Sequence, residues 1–110
     1  MKILIVEDEP SIALALEDDL RREGYETELA IDGNTAVRRT ITQSFDLILL
    51  DVMLPKKDGF EVCREVRARR PTAPVYLVLV TVRGGTSNVV AGLRSGANDY
   101  LTKPFDRDEF

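Results

Sequence analysis

The stretch SFDLILLDVMLPKKDGF, residues 44–60, places a carboxylate directly after a run of large apolar residues. Leu47 to Leu50 have the composition of a strand that is buried on both faces, as strands of parallel sheets are. Asp51 follows at once, and Pro55 and Gly59 come shortly after it. The ordinary explanation is that a strand ends and a polar loop begins. The alternative is that the strand holds Asp51 at the edge of a sheet for chemistry.

Strand patterns and amphipathic helix patterns alternate five times around this stretch. Such alternation predicts one parallel α/β sheet with right-handed crossovers and helices on both faces. The predicted strands are 2–6, 25–30, 46–50, 75–80 and 99–102, and the predicted helices are 10–24, 34–42, 58–70 and 86–95, with a fifth beginning after residue 105. The side chains predicted to face inward from the first three helices are Ile12, Leu16 and Leu20, then Ala36, Val37 and Ile41, then Val62, Cys63 and Val66.

Composition limits the classes of function. The chain has 110 residues, which fits a single domain spanning 1–110. Its net charge of -4 disfavours direct binding to nucleic acid, because phosphate backbones repel an acidic surface. Histidine is absent, so no imidazole can serve as base, nucleophile or metal ligand within this chain. One cysteine and no apolar run long enough to cross a bilayer indicate a cytoplasmic protein that does not enter the membrane.

Polar residues follow the strands at the edge where open α/β sheets bind ligands. Glu7 and Asp8 follow the first predicted strand, Asp51 the third, Thr81 the fourth and Lys103 the fifth. Taken singly, each has an ordinary structural explanation. Together, three carboxylates would repel one another, and a hard divalent cation, Mg²⁺ before Mn²⁺ or Ca²⁺, would relieve the repulsion. A metal and a lysine around one carboxylate would attract a phosphoryl group and allow an aspartyl phosphate to form.

Three segments carry a resemblance to a known family. ILIVEDEP (3–10), FDLILLDVMLPKKDGFE (45–61) and SGANDYLTKPF (95–105) resemble the receiver domain of bacterial two-component response regulators, and the resemblance runs from Lys2 to Phe110. It implies a flavodoxin-like, five-stranded parallel sheet of order 2-1-3-4-5. It also implies a signalling switch that depends on phosphorylation.

The resemblance assigns the acidic residues to one metal site. Asp51 would be the phosphoacceptor and would also face the metal. Asp8 would bind Mg²⁺ directly, Glu7 would act in the same pocket through water, and the main-chain carbonyl of Met53 would supply a further ligand.

The resemblance also assigns the remaining residues. Lys103 would pair with the phosphoryl group, and a cis peptide before Pro104 would set its direction. Thr81 would be the switching hydroxyl, and Tyr100 the aromatic side chain that swings inward when Thr81 moves toward phosphate.

The implied partners lie outside the chain. The phosphoryl donor would be a phosphohistidine on a sensor histidine kinase or a histidine phosphotransfer protein. The domain would not be an enzyme beyond catalysing its own phosphorylation and slow dephosphorylation. A DNA-binding output domain would lie beyond Phe110.

Three alternatives are weighed against this interpretation. A phosphatase of the haloacid dehalogenase type needs a second aspartate two residues after the nucleophile, where this chain has Met53. A receiver-like module that binds partners without phosphate would lack the intact set of acids, hydroxyl and lysine. An engineered or rearranged receiver fragment is the third.

The fragment hypothesis rests on the end of the chain. Receiver domains finish with a fifth helix, and Phe110 stands where that helix begins. A receiver truncated there would leave an apolar face of the sheet uncovered, and an uncovered face of this kind predicts a homo-oligomer.

Overall fold

The fold is a five-stranded parallel sheet with the strand order β2-β1-β3-β4-β5. A computed structural model describes residues 1–52, 54, 57–69, 75–81 and 96–102. Its elements are β1 Lys2–Val6, α1 Pro10–Arg22, β2 Glu26–Ala30, α2 Gly33–Thr42, β3 Leu47–Asp51, α3 Gly59–Arg69, β4 Tyr76–Thr81 and β5 Asp99–Thr102. The predicted fold class and strand order are confirmed, and the predicted strand limits hold to within one residue. The helices predicted at 86–95 and after 105 lie outside the described residues.

β1 is an interior strand of the sheet, because it pairs with both β2 and β3. Short β-branched and leucine-rich runs suit this place, since a central parallel strand is covered on both faces. The register sets Val6 beside Leu50, so the residues that follow β1 come level with the end of β3. This pairing places the acidic residues of the two strands next to each other.

The three described helices begin and end at recognisable signals. Pro10 is the first residue of α1, where its missing N–H costs no hydrogen bond. Gly24 follows α1 with φ 93°, a left-handed conformation that glycine adopts without strain. Asp32 caps α2 by accepting a hydrogen bond from the backbone N–H of Thr35 at 2.7 Å. None of these helices has the length and apolar character needed to cross a bilayer.

The sheet has a core on each face. The larger core packs α2 and α3 against the sheet and includes Val62, Cys63 and Val66, as the sequence predicts. The smaller core packs α1 against the other face, with Leu20 buried and Leu16 partly buried. Cys63 is fully buried, in agreement with a structural role.

The prediction that Ile12 and Ile41 face inward is wrong. Ile12 is 37% exposed and Ile41 is 47% exposed. The buried positions that take their places are Ala13 in α1 and Thr40 in α2. The hydroxyl of Thr40 donates to the carbonyl of Val37 at 2.7 Å, so this polar side chain is buried without losing its hydrogen bond.

The prediction of a bare apolar face is also wrong for the three central strands. On the α1 side of β1, β3 and β4, five side chains are at most 6% exposed. They are Ile3, Ile5, Leu49, Val78 and Val80. The surface expected to drive self-association is therefore not exposed over these strands.

Candidate functional site

Three carboxylates meet at the carboxyl-terminal edge of β1 and β3. Glu7 and Asp8 follow β1 directly, and Asp51 is the last residue of β3. Their ligand oxygens all lie within 4.8 Å of one another. The strand-end placement in the sequence predicts this meeting, and the structure brings the three residues together.

The cluster is buried on one side and open on the other. Glu7 is 3% exposed and Asp51 is 8% exposed, whereas Asp8 is exposed to solvent. Backbone hydrogen bonds continue past the strands and fix the two buried acids: the N–H of Glu7 donates to Ala30 and the N–H of Val52 donates to Val80, both at 3.0 Å. The acids are therefore held rigidly, with access from the side of Asp8.

The chain after Asp51 is shaped by a glycine. The N–H of Gly59 donates to the carbonyl of Val52 at 3.0 Å, which brings the start of α3 against the end of β3. A Cβ at position 59 would lie 2.6 Å from the carbonyl oxygen of Asp51, closer than real Cβ contacts come. Glycine is therefore required at position 59, because the chain there lies against the backbone of Asp51, the candidate nucleophile. The sequence indicates a turn at Gly59 but not this contact with Asp51.

A small open cleft lies beside the two buried acids. Its wall is largely apolar, and Leu16 of α1 contributes to it. It is lined by Ile5, Val6, Glu7, Leu16, Leu49, Asp51 and Val80. Apolar walls lower the local dielectric constant, so charges at this end of the sheet interact more strongly than in water. The sequence gives no sign that Leu16 reaches this site.

The remaining predicted residues are placed only in part. Thr81 is the last residue of β4 and pairs with Thr102, the last residue of β5, so Lys103 follows the strand end at the same edge in sequence. Tyr100 lies in β5 opposite Leu79. The side chains of Thr81 and Tyr100, and the whole of Met53, Lys103 and Pro104, lie outside what the structure describes.

The donor set matches a hard divalent cation. All three side chains of the cluster offer carboxylate oxygens, which Mg²⁺ prefers, and an octahedral Mg²⁺ usually keeps several waters besides one or two carboxylates. The exposed position of Asp8 leaves room for such waters. The chain has no histidine, so none of its side chains can offer an imidazole nitrogen to a metal.

Comparison with known proteins identifies the family. Residues 3–110 match the response regulator receiver domain. The chain belongs to this family. This receiver domain is 42% identical over 108 residues to the response regulator ArlR of Staphylococcus saprophyticus, a match that covers 98% of the chain and 48% of ArlR. It is 44% identical over 108 residues to the alkaline phosphatase synthesis transcriptional regulatory protein PhoP of Bacillus subtilis, covering 98% of the chain and 44% of PhoP. The receiver domain thus spans a little under half the length of these curated relatives.

Solved receiver structures share the fold closely. The receiver domain of the sensor histidine kinase PA1611 from Pseudomonas aeruginosa is 40% identical with a TM-score of 0.89, and the match covers 98% of this chain and 88% of that one. In that structure a magnesium ion is coordinated in the active site cleft. The BeF3-activated DrrB receiver domain is 30% identical with a TM-score of 0.86, over 98% and 88% of the two chains.

Proposed function

We propose that this receiver domain accepts a phosphoryl group on Asp51 and acts as a phosphorylation-dependent signalling switch. The observation that carries the proposal is the carboxylate cluster, in which Asp51 ends a rigid strand within 4.8 Å of the oxygens of Glu7 and Asp8. A single acid at a strand end has an ordinary structural explanation. Three like charges held together, two of them on buried residues, disfavour one another, and such clusters are typical of functional sites.

We propose that Mg²⁺ is held by Asp8 and Asp51 directly, by Glu7 through water and by the carbonyl of Met53. When bound, the ion would offset the charge of the cluster and of the incoming phosphoryl oxygens. The magnesium of the PA1611 receiver domain supports this choice of metal. The chain itself supplies the preorganisation, because Glu7 and Val52 are anchored to neighbouring strands by backbone hydrogen bonds.

The transfer needs one nucleophile and one leaving group. A carboxylate oxygen of Asp51 forms a bond to phosphorus as the bond from phosphorus to the donor's imidazole nitrogen breaks, and the bond's electron pair stays with that nitrogen. Lys103 would pair with the transferred phosphoryl oxygens. Thr81 would donate its hydroxyl to one of them, and Tyr100 would follow Thr81 inward. Slow attack by water on phosphorus would return the free carboxylate.

We infer the partners from the family and from the greater length of the curated relatives. The donor is a sensor histidine kinase or a histidine phosphotransfer protein, in the cytoplasm. The curated relatives are about twice as long as this chain and include transcriptional regulators, so we propose a DNA-binding output domain in the full-length protein. The receiver domain does not bind nucleic acid or membrane itself. Self-association stays a prediction, to be checked by light scattering across a dilution series.

Acetyl phosphate tests the assignment of Asp51. With Mg²⁺ present, intact mass spectrometry should show the gain of one phosphoryl group that hydroxylamine removes. Asp51→Asn should gain none, and EDTA should abolish the gain in the wild type. Asp18→Asn, which changes an exposed acid of α1, is the matched control and should behave as wild type.

Two results would contradict the proposal. One is an Asp51→Asn variant that still gains a hydroxylamine-sensitive phosphate. The other is a wild-type domain that responds neither to acetyl phosphate nor to a fluoroberyllate titration with Mg²⁺, which would indicate a binding module that works without phosphate.

A further inference from the structure

The guanidinium of Arg67, on α3, binds the segments that lead into β4 and β5. Its Nε donates to the carbonyl of Gly96 at 2.9 Å, and its Nη1 donates to the carbonyl of Val75 at 2.9 Å. Its Nη2 donates to Oδ1 of Asn98 at 2.6 Å. The planar fork of arginine can hold three acceptors in fixed directions, which a lysine cannot do.

Asn98 extends this contact into the sheet. Its backbone N–H donates to the carbonyl of Leu77 at 2.8 Å, and its Oδ1 accepts the N–H of Leu77 at 2.9 Å. Asn98 therefore forms a two-point bridge to β4 one residue before the ladder begins at Val78 and Asp99. Arg67 orients the side chain that completes the bridge.

The register of β5 is set against a single neighbouring strand in the described sheet. β5 has four residues and lies at the edge of the sheet with β4 as its one neighbour. A slip of one residue would turn each side chain of a strand to the opposite face. It would also move the point at which the chain leaves β5, and Lys103 is the next residue after Thr102.

We propose that Arg67 is a positioning residue for phosphoryl transfer. By holding Asn98 on Leu77, it fixes the register in which β5 joins β4, and so the point where the chain leaves β5 just before Lys103. This inference rests on the proposed function. Arg67 acts from the opposite end of the strands, since its partners precede β4 and β5 while the carboxylate cluster follows β1 and β3.

A pair of arginine variants separates positioning from general stability. Arg64 is exposed on the same helix, so Arg64→Gln makes the same change of charge without touching the bridge. In Arg67→Gln the rate of Asp51 phosphorylation by acetyl phosphate should fall roughly tenfold to a hundredfold, the size of effect expected from a small misplacement of a reacting group. Its Mg²⁺ affinity should stay within about twofold of wild type, because the charged ligands are on other strands. Arg64→Gln should change neither quantity.

Two results would overturn the inference. An Arg67→Gln rate equal to wild type would show that the register does not need Arg67. Equal losses of rate and of Mg²⁺ affinity would show a purely structural role.

A second variant and a second measurement cover the case in which Arg67→Gln does not fold. Asn98→Ala keeps the bonds from Arg67 to Gly96 and Val75, and should give the same selective loss of rate. Amide hydrogen exchange should be faster at residues 99–102 in either variant and unchanged in β1 and β3. Failure of the wild type to accept phosphate would refute the proposed function, whereas the exchange result decides whether Arg67 and Asn98 hold β5.

Discussion

The two ends of the sheet differ in how their charged side chains are arranged. Toward the amino-terminal end, unlike charges are paired. The carboxylate of Glu28 in β2 forms ion pairs with Lys2 of β1 at 3.1 Å and with Arg39 of α2 at 2.8 Å. Gln43 adds a hydrogen bond to the same carboxylate at 3.1 Å. At the carboxyl-terminal end, three like charges are gathered within 4.8 Å. One end joins unlike charges, and the other brings like charges close together.

This difference indicates where selection for function outweighs selection for stability. A domain tolerates an unfavourable group of charges only when the rest of the structure supplies enough free energy of folding. Here the two hydrophobic cores supply it. Substitutions at the two ends test that contrast.

The largest effect is expected on metal binding. Asp8→Ala should weaken Mg²⁺ binding by at least about tenfold, because carboxylates supply most of the binding energy for a hard ion. Isothermal titration calorimetry measures the affinity. The control is Asp18→Ala, which removes an exposed acid from α1 and should leave the affinity unchanged. Equal Mg²⁺ affinity in Asp8→Ala and wild type would place the metal elsewhere.

A methyl group beside Asp51 should be costly. Gly59→Ala puts a Cβ 2.6 Å from the carbonyl oxygen of Asp51, where backbone rather than a flexible side chain must give way. We expect the free energy of unfolding to fall by about 1–3 kcal/mol, as in other overpacked sites. Urea denaturation measures this change. Gly24→Asn is the comparison, since asparagine tolerates the left-handed conformation after a helix, and the loss there should be smaller. If Gly59→Ala unfolded with the same free energy as wild type, the turn between β3 and α3 would have adjusted to the methyl group without cost.

Neutralising the cluster should stabilise the metal-free domain. Asp8→Asn removes one of three like charges, and we expect the free energy of unfolding in EDTA to rise by about 0.5–1 kcal/mol, a modest value because Asp8 is exposed. With saturating Mg²⁺ the order should reverse, since the wild type binds the ion more tightly. A variant that is less stable than wild type in EDTA would show that the acids do not repel one another appreciably.

The same change at the paired end should have the opposite sign. Glu28→Gln removes the partner of Lys2 and Arg39 and should lower the free energy of unfolding by less than about 1 kcal/mol. Partial burial would raise the pKa of the Glu28 carboxyl, but hydrogen bonds from Gln43 and Lys2 and the charges of Lys2 and Arg39 outweigh it and lower that pKa.

This lowered pKa sets a pH dependence. A carboxyl whose pKa is lower in the folded state than in the unfolded state stabilises the fold above its unfolded value, and that contribution is lost as the pH falls through the folded value. The stability difference between wild type and Glu28→Gln should therefore be present at neutral pH and shrink as the pH falls below 4.5, the ordinary pKa of a glutamate. Denaturation curves across the acidic range measure it. A difference that grows on acidification would contradict the pairing.

The sequence predicts the sheet well because strand runs carry strong local signals. Leu47 to Leu50 are apolar throughout, and the end of that run locates Asp51 directly. The helix faces are harder to predict. Residues four apart drift by about 40° around a helix axis, so Ile12 and Leu20 differ by about 80°. Ala13 lies much nearer to Leu20 in angle and is buried instead.

Contacts between distant segments could not be predicted. Arg67 reads as one of several charged residues on the outer face of α3, and its partners lie 8 to 31 residues away along the chain. Such contacts depend on how α3 packs beside β4 and β5, which no local pattern contains. The carboxylate cluster was predictable because strand ends in a parallel sheet converge regardless of sequence distance.

The fully buried thiol of Cys63 can report local opening of the domain. It is the one cysteine of the chain and lies in the core between the sheet and the helices α2 and α3. A thiol reagent can reach it only when this side of the domain opens, so the modification rate under native conditions measures the free energy of that opening. Comparing the rate with and without Mg²⁺ would show how far a charge bound at the sheet edge suppresses fluctuations inside the core. No label or added residue is needed for that measurement.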